Sequence, residues 1–175
     1  FWAYTPSYSL SIDLRDDVPT NSNDLSASYK MAWDDDFLYA LVNVSDEMLV
    51  TYDQRPECQT WQNDCVEFFI NPDNQTGGSC PDKDGLDDGS EIHANPGDDE
   101  IINNNLAGLG YHNTVTVTGY EYKSTVTPEG YIMEVKMPWS MMMTSERQSE
   151  ILSQVGGEAK FGFDVNICDA DHPQP

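Results

Sequence analysis

The residues best equipped for chemistry sit in one short stretch, "WQNDCVEFFINPDNQTG", residues 61–77. Trp61 offers a broad apolar ring, and Glu67 brings a carboxylate just downstream. Sugars present C–H faces that pack on aromatic rings, and paired hydroxyls that a carboxylate grips with two hydrogen bonds. A charged acceptor makes such bonds roughly twice as strong as a neutral one. From Asp64 the stretch alternates with period two, so Val66, Phe68 and Ile70 fall on one face and Cys65, Glu67 and Phe69 on the other. The first set reads as the core face of a strand. The second places a carboxylate, a thiol and a phenyl ring where a half-buried sheet meets water. Read alone, Trp61 also suits a loop anchor and Glu67 a solvated side chain.

Acidic loops raise a second chemistry. Calcium takes six to eight oxygens from carboxylates and carbonyls on flexible loops. "PDKDGLDDG" gathers Asp82, Asp84, Asp87 and Asp88 around a glycine turn, and these are the expected ligands of a structural calcium ion. The spacing is not that of an EF-hand, because Leu86 occupies a ligand position and no Glu follows in register. Asp16, Asp17, Asp34 to Asp36 and Asp169 to Asp171 offer further oxygens at strand ends.

Four cysteines permit two disulfides in any of three connectivities. Cys65 and Cys168 both lie opposite their strands' apolar residues, which favours Cys65–Cys168 and leaves Cys58–Cys80 across the flanking loops. Asn43-Val-Ser and Asn74-Gln-Thr match the glycosylation acceptor pattern. With the cysteines and the acidity, these features point to an extracellular or cell-surface protein. Catalysis finds no footing. There is no G-x-S-x-G, no H-E-x-x-H and no nucleotide loop, and His93, His112 and His172 are scattered. Carboxylate pairs at glycosidase-like separation arise by chance among 31 acidic residues.

The elements that position these groups are mostly strands. Alternation marks 26–33, 37–44, 64–70, 114–118, 120–126, 131–137 and 161–167, with a short strand at 91–95 and a hairpin turn at "TPEG". One helix is expected, over 139–154, as a crossover between strands, with Met141 to Met143 in the core. The expected fold is an all-β antiparallel sandwich, jelly-roll or immunoglobulin-like, forming a single domain over 1–175. The chain carries 31 acidic residues against 8 Lys and Arg, a net charge of −23. That field repels nucleic acid and anionic membranes. No apolar run approaches the roughly 20 residues of a membrane helix.

The order of "KMAWDDDFLYALVNVSDE", "WQNDCVEFFINPDN", "GYIMEVKMPWS" and "FGFDVNICDAD" resembles the family 9 carbohydrate-binding modules, within a wider group of DOMON-type sandwiches. The resemblance spans most of the chain, about residues 27–171. It implies a jelly-roll-like sandwich with structural calcium, appended to secreted glycan-degrading enzymes. It also implies sugar contacts from the W-x-x-D-x-V-E segment, here Trp61 and Glu67. Where the family pattern has an arginine, "DDGSEIHAN" offers Glu91 and His93. The family's second tryptophan lies on a strand beyond "FDVNICDAD", and this sequence stops at Pro175 without it. Two functions are therefore expected. The first is non-catalytic binding of a polysaccharide or oligosaccharide, by a module attached to a larger polypeptide. The second is a structural subunit of an extracellular filament or surface layer, self-assembling by edge-strand pairing.

Overall fold

The computed structural model describes residues 1–10, 24–51, 60–72, 90–97, 119–154 and 160–171. Within them, period-two sequence becomes eight antiparallel strands. These are β1 (Tyr8–Ser9), β2 (Leu25–Trp33), β3 (Phe37–Asp46), β4 (Cys65–Asn71), β5 (Ser90–Ala94), β6 (Glu121–Thr127), β7 (Gly130–Pro138) and β8 (Gly162–Cys168). They form a five-stranded sheet ordered β1-β2-β3-β7-β6 and a three-stranded sheet ordered β5-β4-β8. The expected strand at 114–118 lies outside the described residues.

The core lies between the sheets. Leu38, Ala40, Val42 and Val44 of β3 meet Val66, Phe68 and Ile70 of β4 in one buried cluster with Met133, Val135 and Met137 of β7. Ring contacts tie the layers together: Phe163 of β8 lies 6.1 Å from Phe68 and also 6.1 Å from Tyr29 of β2. Each such large side chain contributes about 1.5–3 kcal/mol on burial. Ile132 and Met133 compete for the same interior, and Met133 wins it completely while Ile132 stays 37% exposed. Met141, Met142 and Met143 are buried, as core side chains.

The helix is shorter than its sequence pattern suggests. A 3-10 turn at Trp139–Met141 comes first, and helix α1 covers only Ser145–Ser153. Thr144 separates the two and caps α1, its hydroxyl accepting from the Arg147 N–H at 3.3 Å. Burial of Trp139 and the three methionines drives the preceding turn, so packing overrides helical periodicity there. The segment does cross between sheets, from β7 to β8.

Turns aim the strand ends. "TPEG" closes the β6–β7 hairpin with Thr127 opposite Gly130. Gly130 has φ +138°, and a Cβ there would run into the Val44 carbonyl oxygen and the Asp46 N–H. Glycine therefore lets the end of β3 press against this turn and fixes Asp46. At the other end of β3, Asp34 accepts from the backbone N–H groups of Asp36 and Phe37 and from the Tyr39 hydroxyl. These bonds, the Asp36 N–H foremost, hold its carboxyl below the usual range. Asp34 serves the turn.

Candidate functional site

Strand register assembles a polar row across the smaller sheet. His93 of β5, Glu67 of β4 and Asn166 of β8 are direct cross-strand partners. All three stand on the face opposite Val66 and Phe68. The Asn166 side-chain amide donates to Glu67 Oε2 at 2.7 Å, and His93 Nε2 lies 3.5 Å from Glu67 Oε1. Both carboxylate oxygens are thereby oriented. Water does not wash this face as alternation alone suggests: Glu67 is only 6% exposed and His93 is fully buried. Tyr120 donates its hydroxyl to the His93 carbonyl at 2.7 Å, which anchors β5 from the side.

Trp61 stands at the edge of this row, on a 3-10 turn (Thr60–Gln62) that leads into β4. The next two residues hold the turn in place. Asn63 and Asp64 are buried, and the Asp64 N–H donates to the Val50 carbonyl at 3.1 Å. The indole meets the His93 ring edge-on at 6.1 Å and remains 43% exposed. His93 thus stands between an exposed ring and an oriented carboxylate. Glu91 pairs in register with Phe69, two positions along β5 from His93. Sequence reasoning singled out Trp61, Glu67 and His93 but missed Asn166, although its place in "FDVNIC" opposite the apolar positions was a usable signal.

Cys65 and Cys168 are register partners on β4 and β8, adjacent to this row. Both are thiols in this structure, and Asn166 Nδ2 lies 3.8 Å from Cys168 Sγ. Burial pushes the Cys65 thiol well above its ordinary range, with Cys168 adding to the effect. Cys58 and Cys80 lie outside the described residues, as do Asn74 and the aspartates Asp82, Asp84, Asp87 and Asp88. Asn43 is described: it sits exposed on β3.

A second cluster forms where β3 ends, β4 begins and β8 ends. Carboxylate oxygens of Asp46, Asp64 and Asp169 lie within 4.8 Å of one another, and so do those of Asp24, Glu47 and Asp171. Asp64 accepts from the backbone N–H groups of Val50 and Ala170, and Asp46 from that of Met48. Burial pushes the Asp64 carboxyl up to about 7, with the neighbouring Asp46 charge adding to it. Asp169 is likewise pushed up to about 7, by partial removal from water and then by Asp171 and Asp46. Burial also raises Asp46. The donor set is all oxygen, and Asp171 Oδ1 is buried without a hydrogen-bond partner among the described residues. These groups suit a hard cation such as calcium. Of this cluster the sequence pointed to Asp169 and Asp171; Asp24, Asp46, Glu47 and Asp64 join it only in space.

Two antiparallel sheets enclosing one core, with a polar row on the smaller sheet and an exposed indole at its edge, define an all-β sandwich. The chain belongs to the carbohydrate family 9 binding domain-like family, whose model matches residues 1–174. It is 26% identical over 150 residues to "Exoglucanase XynX" of Acetivibrio thermocellus and 25% identical to "Endo-1,4-beta-xylanase A" of Thermoanaerobacterium saccharolyticum. Each match covers 86% of this chain, which spans about a tenth of those relatives: 11% and 10% of their lengths. The fold is similar to that of a family 9 carbohydrate-binding module from Caldicellulosiruptor kristjanssonii in complex with cellotriose. That match has a TM-score of 0.53 at 18% identity, over 97% of this chain and 68% of the other. No helix among the described residues is long and apolar enough to cross a membrane.

Proposed function

We propose that the protein is a non-catalytic sugar-binding module that works outside the cell, attached to or beside a glycan-degrading enzyme. Trp61 stacks on a sugar ring, and Glu67 takes its hydroxyls. One observation carries this reading: Glu67, held from both sides by Asn166 and His93, stands beside a tryptophan that keeps much of its ring in solvent. In such a low-dielectric setting a hydrogen bond is electrostatically stronger than in water. Glu91, two register positions from His93, belongs to the same proposed contact set. Cello-oligosaccharides and xylans are the first ligands to try, given the sugar bound by the solved family member and the names of the curated relatives.

Calcium is part of the proposal, held by Asp46, Asp64 and Asp169, with Asp24, Glu47 and Asp171 alongside. The ion would supply positive charge that offsets carboxylate repulsion where strands from both sheets end. Cys65 and Cys168 are proposed to bridge β4 to β8 in the oxidised protein, and Asn43 to be open to glycosylation. Disulfides need Cα separations below about 7 Å, a condition that neighbouring register partners meet.

The test is Trp61→Ala. The ring lies outside the core cluster, so the melting temperature should stay within about 2 °C of the parent, while calorimetric titration with cellotriose loses most of its heat. An unmutated, folded, calcium-loaded sample that gives no heat with any sugar, and that polymerises, would point instead to the structural-subunit function.

A further inference from the structure

The outer face of the five-stranded sheet carries a second constellation, on residues other than Trp61 and Glu67. Tyr39 of β3, Lys136 of β7 and Glu121 of β6 form one cross-strand row, and Glu134 and Lys123 lie side by side in the next. These residues line a cavity of about 430 Å³. Tyr39, Tyr120 and Tyr122 supply its aromatic walls, and the N-terminal residues reach its rim through Glu134 and Tyr39. The Trp2 indole donates to Glu134 Oε1 at 2.7 Å, Lys30 Nζ donates to the Trp2 carbonyl at 2.8 Å, and Phe1 bridges the Trp2 and Tyr39 rings edge-on at 4.9 and 6.2 Å. The 3-10 turn at Trp2–Tyr4 is thereby laid across the sheet.

Three lysines gather on this face, sharing it with the carboxylates of Glu121, Glu134 and Asp34. The whole chain has 8 cationic side chains and a net charge of −23. Lys30, Lys123 and Lys136 all project here. Lys136 is already neutralised, its ammonium 3.0 Å from Glu121 and 4.2 Å above the Phe37 ring. Lys123 is exposed and takes part in no ion pair among the described residues, since the carboxylate of its register neighbour Glu134 accepts from Trp2. An anionic ligand, repelled by the acidic field elsewhere, meets an unspent ammonium beside aromatic rings at this place.

We propose that this face is a second glycan-contacting surface, selective for sugar chains that carry a uronate substituent. The rings of Tyr39 and Trp2 pack on pyranose C–H faces, Glu121 takes hydroxyls, and Lys123 pairs with the uronate carboxylate. The proposal extends the sugar-binding reading above but stands on the other sheet and on different residues, so either can fail alone.

The experiment is calorimetric titration with a β-linked xylotetraose bearing one glucuronate, alongside the same chain without it. The parent protein, Trp61→Ala, Lys123→Gln and Tyr39→Ala are compared, each checked for folding by its melting curve. The parent should favour the uronate-bearing chain about fivefold at low salt, an advantage that shrinks as salt is raised. Lys123→Gln should abolish the preference, Tyr39→Ala should weaken the uronate-bearing chain several-fold, and Trp61→Ala should leave it measurably bound. Equal affinities for the two chains, or a preference that survives Lys123→Gln, overturns the proposal. So does loss of both ligands in Trp61→Ala, which would put all binding on the smaller sheet. If Tyr39→Ala abolishes binding and Trp61→Ala does not, this face stands and the Trp61 site falls. No binding of either chain overturns this proposal and leaves the Trp61 reading to the cellotriose titration.

Discussion

Glu67 and Asp64 are carboxylates of the same short segment, both buried, and their surroundings differ in kind. Glu67 sits between an amide donor and an imidazole, each from a different neighbouring strand. Asp64 sits at the strand entrance, where two backbone N–H groups reach it and the nearest side-chain charges are other carboxylates. A buried charge is tolerated when it is paired and hydrogen-bonded, and is costly otherwise. The first environment therefore orients an anion for a neutral, hydroxyl-rich ligand. The second accumulates negative potential that a cation relieves. Two acidic side chains three positions apart thus serve opposite ends of the proposed function.

The sharpest way to break this contrast is Asp64→Ala. It strips the acceptor from the Val50 and Ala170 N–H groups at once, and an unsatisfied buried donor costs about 1–3 kcal/mol. A loss of about 3 kcal/mol in chemical denaturation is expected, together with loss of any stabilisation by calcium. Asp64→Asn should be milder without calcium, because it removes a charge that repels Asp46, yet it should be equally blind to the ion. If calcium stabilises Asp64→Asn as much as the parent, the ion does not bind here.

The pH dependence of stability is the next largest effect. Asp64 and Asp169 hold their protons up to about 7 in the folded chain against the ordinary 3.8. Between those values the folded state binds more protons than the unfolded one. The contribution of these two groups to stability is therefore fully present below about pH 4 and is lost as pH rises through about 7. The chelated protein should melt several degrees lower at pH 7 than at pH 5. Saturating calcium should flatten that slope and raise the melting temperature at neutral pH, because a ligand of the folded state stabilises by mass action. A chelated melting curve that does not move over this range would show that the carboxylate cluster does not govern stability.

At the other pole of the comparison, Glu67→Gln keeps shape while losing the charge and one of the two acceptor oxygens. Hydrogen bonds to charged groups contribute about 1.5–3 kcal/mol against about 1 for neutral ones, so sugar affinity should fall about tenfold, or about 1.4 kcal/mol. An unchanged affinity by calorimetry would show that the carboxylate does not touch the ligand. The smallest expected change concerns the thiols beside it. Non-reducing peptide maps should show a Cys65–Cys168 linkage, and its reduction should leave the Glu67–Asn166 contact in place with only a modest loss of affinity. A Cys58–Cys65 linkage would refute the pairing.

Much of this fold was legible in the sequence because the signal is local. Period-two alternation in "CVEFFIN" and "GFDVNIC" dictates which side chains share a face, and "TPEG" dictates a reversal with a glycine where φ is positive. Trp61 and Glu67 could be singled out for the same reason, since ring and carboxylate lie on one strand and its approach. Alternation names a face but not the groups that cover it. It therefore left Glu67 in water, whereas the structure buries it beneath partners from two other strands. Nor could it choose between Ile132 and Met133, a competition that only the opposing sheet decides.

The carboxylate cluster shows the limit most clearly. Aspartates crowd residues 82–88 in sequence, so composition points there. The described cluster instead gathers single acids from separate strand ends, with Asp64 bonded to Ala170 from 106 positions away. Asn166 reaches Glu67 across 99 positions by the same logic. Residue type and spacing determined the strands, their inner faces and the nearness in sequence of Trp61 and Glu67. Which distant acids meet, and which carboxylate lies among donors and which among other acids, was decided by strand register between two sheets, because cross-strand pairing brings together residues that no local period connects.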